Sequence, residues 1–161
     1  ISTIVGQNIG AGQQERADKA YHYALRMGAL FLLFFGLILS RRFISQAMVT
    51  FFSTDERVIP LATDFLSLMA FWCWSNAFYN VTQGLFQGSG HTMITMIVDA
   101  SRIWIFRLLT LWVCANMLNM GVESVWYAVV ISNGTSAAIL FALYWTGIWK
   151  KSTIKIEKTE S

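Results

Sequence analysis

The chain has 161 residues, of which 55% are hydrophobic, 15% aromatic and only 13% charged, about half the charge usual in soluble globular chains. With 7 Trp and 12 Phe, a water-soluble fold would expose large apolar patches, so a soluble monomer, a disordered segment and a disulfide-stapled secreted module are all excluded. The net charge of +3 lies in short clusters between apolar runs and in a basic tail, 150–161, a pattern that favours membrane-flanking loops over a nucleic-acid surface.

The chain opens on Ile1 with no basic leader or cleavage site, and 1–10 reads like the tail of an apolar element; the expectation is a fragment of a longer protein. A spanning helix needs about 20 apolar residues. The first candidate covers 17–40 and stops at Arg41-Arg42. Residues 43–52 are apolar but too few to span, and are expected to form a short interfacial helix before the polar turn Ser53-Thr54-Asp55-Glu56. A second span is expected over 58–86, with Pro60 tolerated in its first turn. No charged residue occurs over 65–98, too long a stretch for one span, and Gly88-Ser89-Gly90-His91-Thr92 supplies the break. The third span then covers 93–117 and the fourth 122–149. The fold class is all-α: a polytopic membrane bundle of four transmembrane helices, with the end of a fifth and the interfacial helix.

Lys and Arg set the orientation. Arg16, Lys19, Arg26, Lys150, Lys151, Lys155 and Lys158 fall on one side of such a bundle, against Arg41, Arg42 and Arg57 on the other. Both ends are therefore expected in the cytoplasm.

Little in the chain suggests catalysis. Gly6, Gly10 and Gly12 are not followed by the Lys-Ser/Thr of a phosphate loop, and Glu15 occupies the third slot of a dinucleotide fingerprint. These glycines are expected to let a helix end turn tightly, with Gln7 and Asn8 serving exposed backbone. Cys73 and Cys114 read as packing residues, with no metal-ligand spacing. His22 and His91 read as surface histidines beside turns. The sequons at Asn80 and Asn133 fall within spans, out of reach of glycosylation.

The third span carries Asp99, Arg102 and Arg107, each costing on the order of 2.5–3.5 kcal/mol near the bilayer centre. Such groups must face the bundle interior or a wet cavity. Asp99 and Arg102 stand three residues apart, so they can pair locally; that pair either neutralises itself or lines a cavity in which Asp99 exchanges a proton or cation. Arg107 has no acid one turn away and must look to another helix. The second span adds a polar stripe, with Asn76, Asn80, Gln83 and Gln87 on one helical face beside Ser75. These amides can bind substrate or glue helices together. Phe71, Trp72, Trp74, Phe78 and Tyr79 read as lipid-facing or packing residues, some of which can form an aromatic wall for organic cations.

Val5-Gly6-Gln7-Asn8-Ile9-Gly10-Ala11-Gly12 with Glu15-Arg16-Ala17 resembles the cytoplasmic loop motif of the multidrug and toxic compound extrusion (MATE) family. Gln83-Gly84-Leu85-Phe86-Gln87-Gly88-Ser89-Gly90-His91-Thr92 resembles its G-x-x-x-G-x-G-x-T turn, and Trp104-Ile105-Phe106-Arg107 its W-x-x-R signature. Gly121, Trp126 and Ser132-Asn133 are similar to the opening of its last span. The resemblance implies a twelve-helix fold in two lobes, of which 1–161 would be most of the carboxy-terminal lobe. Gly10, Gly12, Gly88 and Gly90 would be structural motif residues. It further implies an antiporter that exports organic or cationic compounds in exchange for Na⁺ or H⁺. Its expected partners are lipid, a small substrate and the missing amino-terminal lobe, with no cofactor beyond the coupling ion and no enzymatic activity. Asn76, Asn80 and Gln83 would line the cavity, with Asp99, Arg102 and Arg107 as further candidates. Two departures stand out: Asn76 takes the position of a family acid and cannot carry a proton, and Leu109 replaces a Pro after the signature Arg. The cation site then falls to the missing lobe or to Asp99. A lipid-linked-precursor flippase of related fold is the alternative function, distinguished by a markedly cationic cavity.

Overall fold

The structure, a computed structural model, describes residues 1–151. It is all-helical, with no strand among the described residues. The basic tail, including Lys155 and Lys158, lies outside them.

A short helix, α1 (Ser2–Gly10), packs on α2 (Gln14–Leu39) and on α5 (Ser75–Gly88). Between α1 and α2 the chain turns at Gly12, whose left-handed φ of 72° suits glycine. The amide N–H groups of Gly12 and Gln13 donate back to the carbonyls of Ile9 and Asn8 at 2.9 and 2.8 Å, and the Asn8 side chain bonds the Ile4 carbonyl at 2.7 Å. The expected tight turn is there, made by Gly12; Gly10 is simply the last helical residue.

Helix α2 is 26 residues long, about 39 Å at 1.5 Å per residue, and exposes Leu30, Phe31 and Phe34 outward. A solvent of hydrocarbon explains that apolar surface where water would not. Helix α3 (Arg42–Phe52) occupies the stretch expected to be interfacial, folding against α4 (Val58–Trp72) with Arg42 paired to Asp64 at 3.3 Å. Phe43, Phe51 and Phe52 remain exposed.

The second expected span is not straight. Helices α4 and α5 meet at 52° across Cys73 and Trp74. No proline causes this. The Cys73 N–H reaches only the Ala70 carbonyl, the Ser75 hydroxyl takes the Trp72 carbonyl at 2.8 Å, and the Cys73 thiol donates to Leu32 of α2 at 3.2 Å. Together these contacts interrupt the i→i−4 ladder, which is how a helix bends without proline.

The third expected span is also modified. Helix α6 (Thr92–Ser101) runs into a π-helical segment (Arg102–Arg107) and then into α7 (Leu108–Asn116). No break follows at Leu109, consistent with the absent proline. Helix α8 (Glu123–Trp145) packs against α5, α7 and the π-helical segment, whose last residue it hydrogen-bonds. It stops four residues short of the expected 149, because Gly147 turns the chain at φ 70° into a 3₁₀ turn (Ile148–Lys150). That turn buries Trp149 to 1% exposure, its ring stacked on Tyr144 at 5.9 Å.

Among the described residues two helices are long and apolar enough to cross a membrane, or three if the bent α4–α5 pair is one span. The start of α2 and the end of α8 meet: Gln14 donates to the Lys150 carbonyl at 3.0 Å and Tyr144 to Asp18 at 2.7 Å. The two ends therefore lie on the same side of the bundle.

Gly88 and Gly134 differ in what surrounds them. A Cβ on Gly88 would press into the Ser2 carbonyl and meet Val5 at 3.0 Å, whereas one on Gly134 meets nothing within 4 Å. Gly88→Ala is expected to lower stability by about 1–3 kcal/mol, and Gly134→Ala to be neutral or to raise it by up to about 1 kcal/mol. Thermal unfolding of the detergent-solubilised protein measures both; equal losses would contradict the packing of α1 on α5.

Candidate polar site between α5 and α6

The turn between α5 and α6 decides which residues meet. Gly90 adopts φ 87°, and the N–H of His91 reaches back to the Phe86 carbonyl at 2.8 Å. Ser89 bonds both the Phe86 carbonyl and His91 Nδ1, each at 3.0 Å. The helices fold into a hairpin, so residues equally far from 90–91 face each other. Gln83 and Tyr79, one turn apart on α5, thereby meet Asp99 and Arg102, one turn apart on α6 and its extension.

Asp99 is held by three groups. Gln83 Nε2 donates to Oδ2 at 2.6 Å, and the Tyr79 hydroxyl donates to Oδ1. Arg102 Nη2 lies 3.3 Å from Oδ1. The Arg102 guanidinium also sits over the Tyr79 ring, 4.5 Å from its centroid, so its charge is shared between carboxylate and π-face. Tyr79 is 3% exposed, while the side chains of Arg102 and Asp99 are 22% and 34% exposed. The Arg102 Nε is buried with no acceptor.

Arg107 looks to α8, as its lack of a local acid required. Its Nε and Nη2 lie 3.3 Å from Ser132 Oγ and 3.4 Å from Asn133 Oδ1. Among the described residues no carboxylate pairs with it. The three charges of this span therefore divide: Arg102 is the arginine at Asp99, and Arg107 belongs to a separate α8 contact.

Of the α5 stripe, only Gln83 enters the network. Asn80 is exposed and donates to the carbonyl of Asn76 at 2.8 Å, within its own helix. Asn76 is half-buried and Gln87 exposed. Tyr79, expected to be a lipid-facing or packing residue, is packed in the core and also serves Asp99 through its hydroxyl and Arg102 through its ring. Its spacing of four from Gln83 was the available signal.

Two further assemblies surround this site. A cleft of about 490 Å³ opens where the α4–α5 bend faces α8, walled by Trp72, Trp74, Phe78, Tyr127 and Phe141, with no charged residue in its lining. It realises the expected aromatic wall, with α8 supplying two of the rings. Near the joined chain ends, the Tyr144 hydroxyl donates to Asp18 and lies 2.9 Å from His22 Nε2, while Tyr21 stacks on Tyr144 and bonds Thr82 at 3.0 Å. His22 thus keeps a partly exposed side chain but lies inside α2, tied to α8, and not beside a turn; Asp18, four residues before it, was the missed clue. His91 is likewise half-buried and bonded, though it does stand at a turn.

The network predicts different costs for two amides on one helix. Gln83→Leu leaves an Asp99 oxygen without its donor and is expected to lower stability by about 0.6–2 kcal/mol. Asn80→Leu removes only an exposed bond within its own helix and should change stability by less than about 0.5 kcal/mol. Thermal unfolding in detergent separates the two, and an equal cost would deny Gln83 its role.

Comparison with known proteins agrees with these features. The MatE family matches residues 1–113. The chain is 25% identical over 142 residues to the probable multidrug resistance protein NorM of Oceanobacillus iheyensis, covering 88% of this chain and 31% of that protein. It is 28% identical over 152 residues to the probable multidrug resistance protein NorM of Chromobacterium violaceum, with 89% and 31% covered. The chain thus spans about a third of the length of the curated relatives it matches. No solved structure matches it. With the family's match running from α1 into α7, through the glycine turn that shapes the polar site and the arginine signature beyond it, the chain belongs to the MatE family.

Proposed function

We propose that this chain is part of a secondary active efflux antiporter, contributing most of its carboxy-terminal lobe. Organic or cationic compounds are its cargo, and Na⁺ or H⁺ entering the cell drives their export. The relatives' description as multidrug resistance proteins supports the cargo class. The observation that carries the reading is Asp99, an ionisable group kept among apolar helices by Tyr79, Gln83 and Arg102. An intramembrane carboxylate with such a shell marks an ion or substrate pathway by its cost alone.

In this reading four segments cross the membrane. α2 and α8 cross directly, α4 and α5 cross as one bent span, and 92–116 cross as one helix containing the π-helical segment. Those 25 residues reach about 37 Å, enough for a hydrocarbon core of about 30 Å. An even count agrees with the meeting of the start of α2 and the end of α8, and the cations Arg16, Lys19, Arg26, Lys150 and Lys151 support a cytoplasmic side there. The protein would sit in the plasma membrane. Its remaining lobe completes the pathway, and alternating access arises from rocking one lobe against the other. The chain acts as a transporter and not as an enzyme, with no cofactor beyond the coupling ion. A lipid-linked-precursor flippase would need a cationic cavity, and the uncharged lining of the α5–α8 cleft favours the antiporter.

Asp99→Asn in the full-length protein is expected to slow ion-driven export about tenfold, the scale of a coupling free energy of about 1.4 kcal/mol. Glu15→Gln, which removes only an exposed pair with Lys19, should leave export unchanged. Uptake of a fluorescent cationic dye into inverted vesicles under an imposed Na⁺ or H⁺ gradient measures both. Undiminished export by the Asp99 variant would remove that carboxylate from the mechanism.

A further inference from the structure

We infer that Asp99 forms a monovalent-cation site which Arg102 occupies from within, so that an external cation binds by displacing the guanidinium. The binding claim stands on geometry alone; its use in transport rests on the antiporter reading.

The two sides of the Asp99 shell are built differently. On one side the carboxylate is fixed. Gln83 and Tyr79 come from α5, a helix held at Gly84 and Gly88 by α1, and Tyr79 is almost fully buried. They orient both oxygens whether or not Arg102 is present. On the other side Arg102 is held loosely. Its contact is an ion pair at 3.3 Å, longer than the 2.7–2.9 Å or so of a charge-assisted hydrogen bond, and it engages one terminal nitrogen instead of a bidentate fork. Its Nε lies buried with no acceptor at all. A guanidinium placed as a permanent lock would satisfy that group, because a buried unpaired donor costs about 1–3 kcal/mol. Arg102 thus keeps a position from which departure recovers desolvation.

The surroundings also permit departure. Arg102 is the first residue of the π-helical segment, and such turns within α-helices are rare and frequently found at functional sites. Its side chain is 22% exposed, so it is not enclosed on all sides and its long stem has room to swing away from Asp99.

What the vacated space would accept follows from what it now holds. One wall is a carboxylate oxygen with the Tyr79 hydroxyl beside it; the other is the face of the Tyr79 ring, 4.5 Å from the present cation. Gln83 adds an amide whose oxygen can turn inward. Oxygens suit Na⁺, and the carboxylate with a π-face suits a guanidinium or ammonium. The shared requirement is one positive charge of small size. The exchange replaces one cation at the half-exposed carboxylate by another, so that neither end state leaves the charge unpaired.

The test uses the purified full-length protein in detergent, at ionic strength fixed with N-methylglucamine chloride. Binding of radiolabelled Na⁺ and of guanidinium is measured in the parent protein, in Arg102→Gln, in Arg102→Lys and in Arg102→Gln combined with Asp99→Asn. If Arg102 occupies the site in about nine molecules of ten, removing it tightens apparent affinity about tenfold. Arg102→Gln should show that gain, the shorter Arg102→Lys a smaller one, and the added Asp99→Asn should abolish it. A gain for Na⁺ alone identifies an inorganic-cation site, and a gain for guanidinium alone an organic-cation site. Unchanged or weaker binding of both cations in a monodisperse Arg102→Gln protein overturns the inference; if that variant fails to stay monodisperse, Arg102→Lys with no gain overturns it instead. Should Asp99→Asn keep full export while Arg102→Gln still gains affinity, the antiporter role of Asp99 falls and the site stands. Should Asp99→Asn lose export while Arg102→Gln gains nothing, only the internal-competitor inference falls.

Discussion

A charge removed from water must be met by donors, acceptors or an opposite charge, and in this bundle that requirement fixes the α5–α6 hairpin. Asp99 meets it with Tyr79 and Gln83 projecting from one helix and Arg102 from its own, so that its carboxyl oxygens have partners between apolar neighbours. The register of the hairpin follows. Sliding α6 by one residue would turn Asp99 away from α5 by about 100° and strand it against hydrocarbon. The glycine turn at 88–90 supplies the geometry, and the carboxylate makes one register strongly preferred.

The same requirement operates at the chain ends. Asp18 and His22 on α2 take the Tyr144 hydroxyl of α8, and Tyr21 reaches Thr82 of α5. Three helices far apart in sequence are joined by polar contacts inside a layer of stacked rings. Elsewhere the helices approach closely through small residues. Gly36 lies against the α4 carbonyl of Ala70, and Gly84 and Gly88 against α1. Where water supplies no drive between helices, close backbone approach of this kind provides the packing energy.

The helical class, the breaks near Arg41 and Gly88, the short helix after Arg42 and the pairing of Asp99 with Arg102 were all legible in the sequence, because each follows from local composition or from residues one turn apart. The bend at Cys73 was not. It depends on a thiol reaching Leu32, forty-one residues away, and Ser75 alone is too common to announce a break. The packing of Tyr79 was legible but its polar role was not, because only the opposing Asp99 reveals its hydroxyl as a donor. His22 was misread for a similar reason. Its partner Tyr144 lies at the other end of the chain.

The π-helical segment shows why such features escape a local reading. Arg102 and Arg107 stand five residues apart, each facing a different partner, α5 for the first and α8 for the second. Helices α5 and α8 pack against each other, so both arginines must point toward the same side of the third span. Five residues of α-helix advance about 140° beyond a full turn, which would swing one arginine toward lipid. The wider π winding, with roughly 4.4 residues per turn, reduces that offset to about 50°. The lost hydrogen-bond quality is offset by keeping two cations off the hydrocarbon, each worth on the order of 2.5–3.5 kcal/mol. Nothing in Arg102-Ile103-Trp104-Ile105-Phe106-Arg107 favours a π-helix by itself. The winding is selected by where the two charges must go.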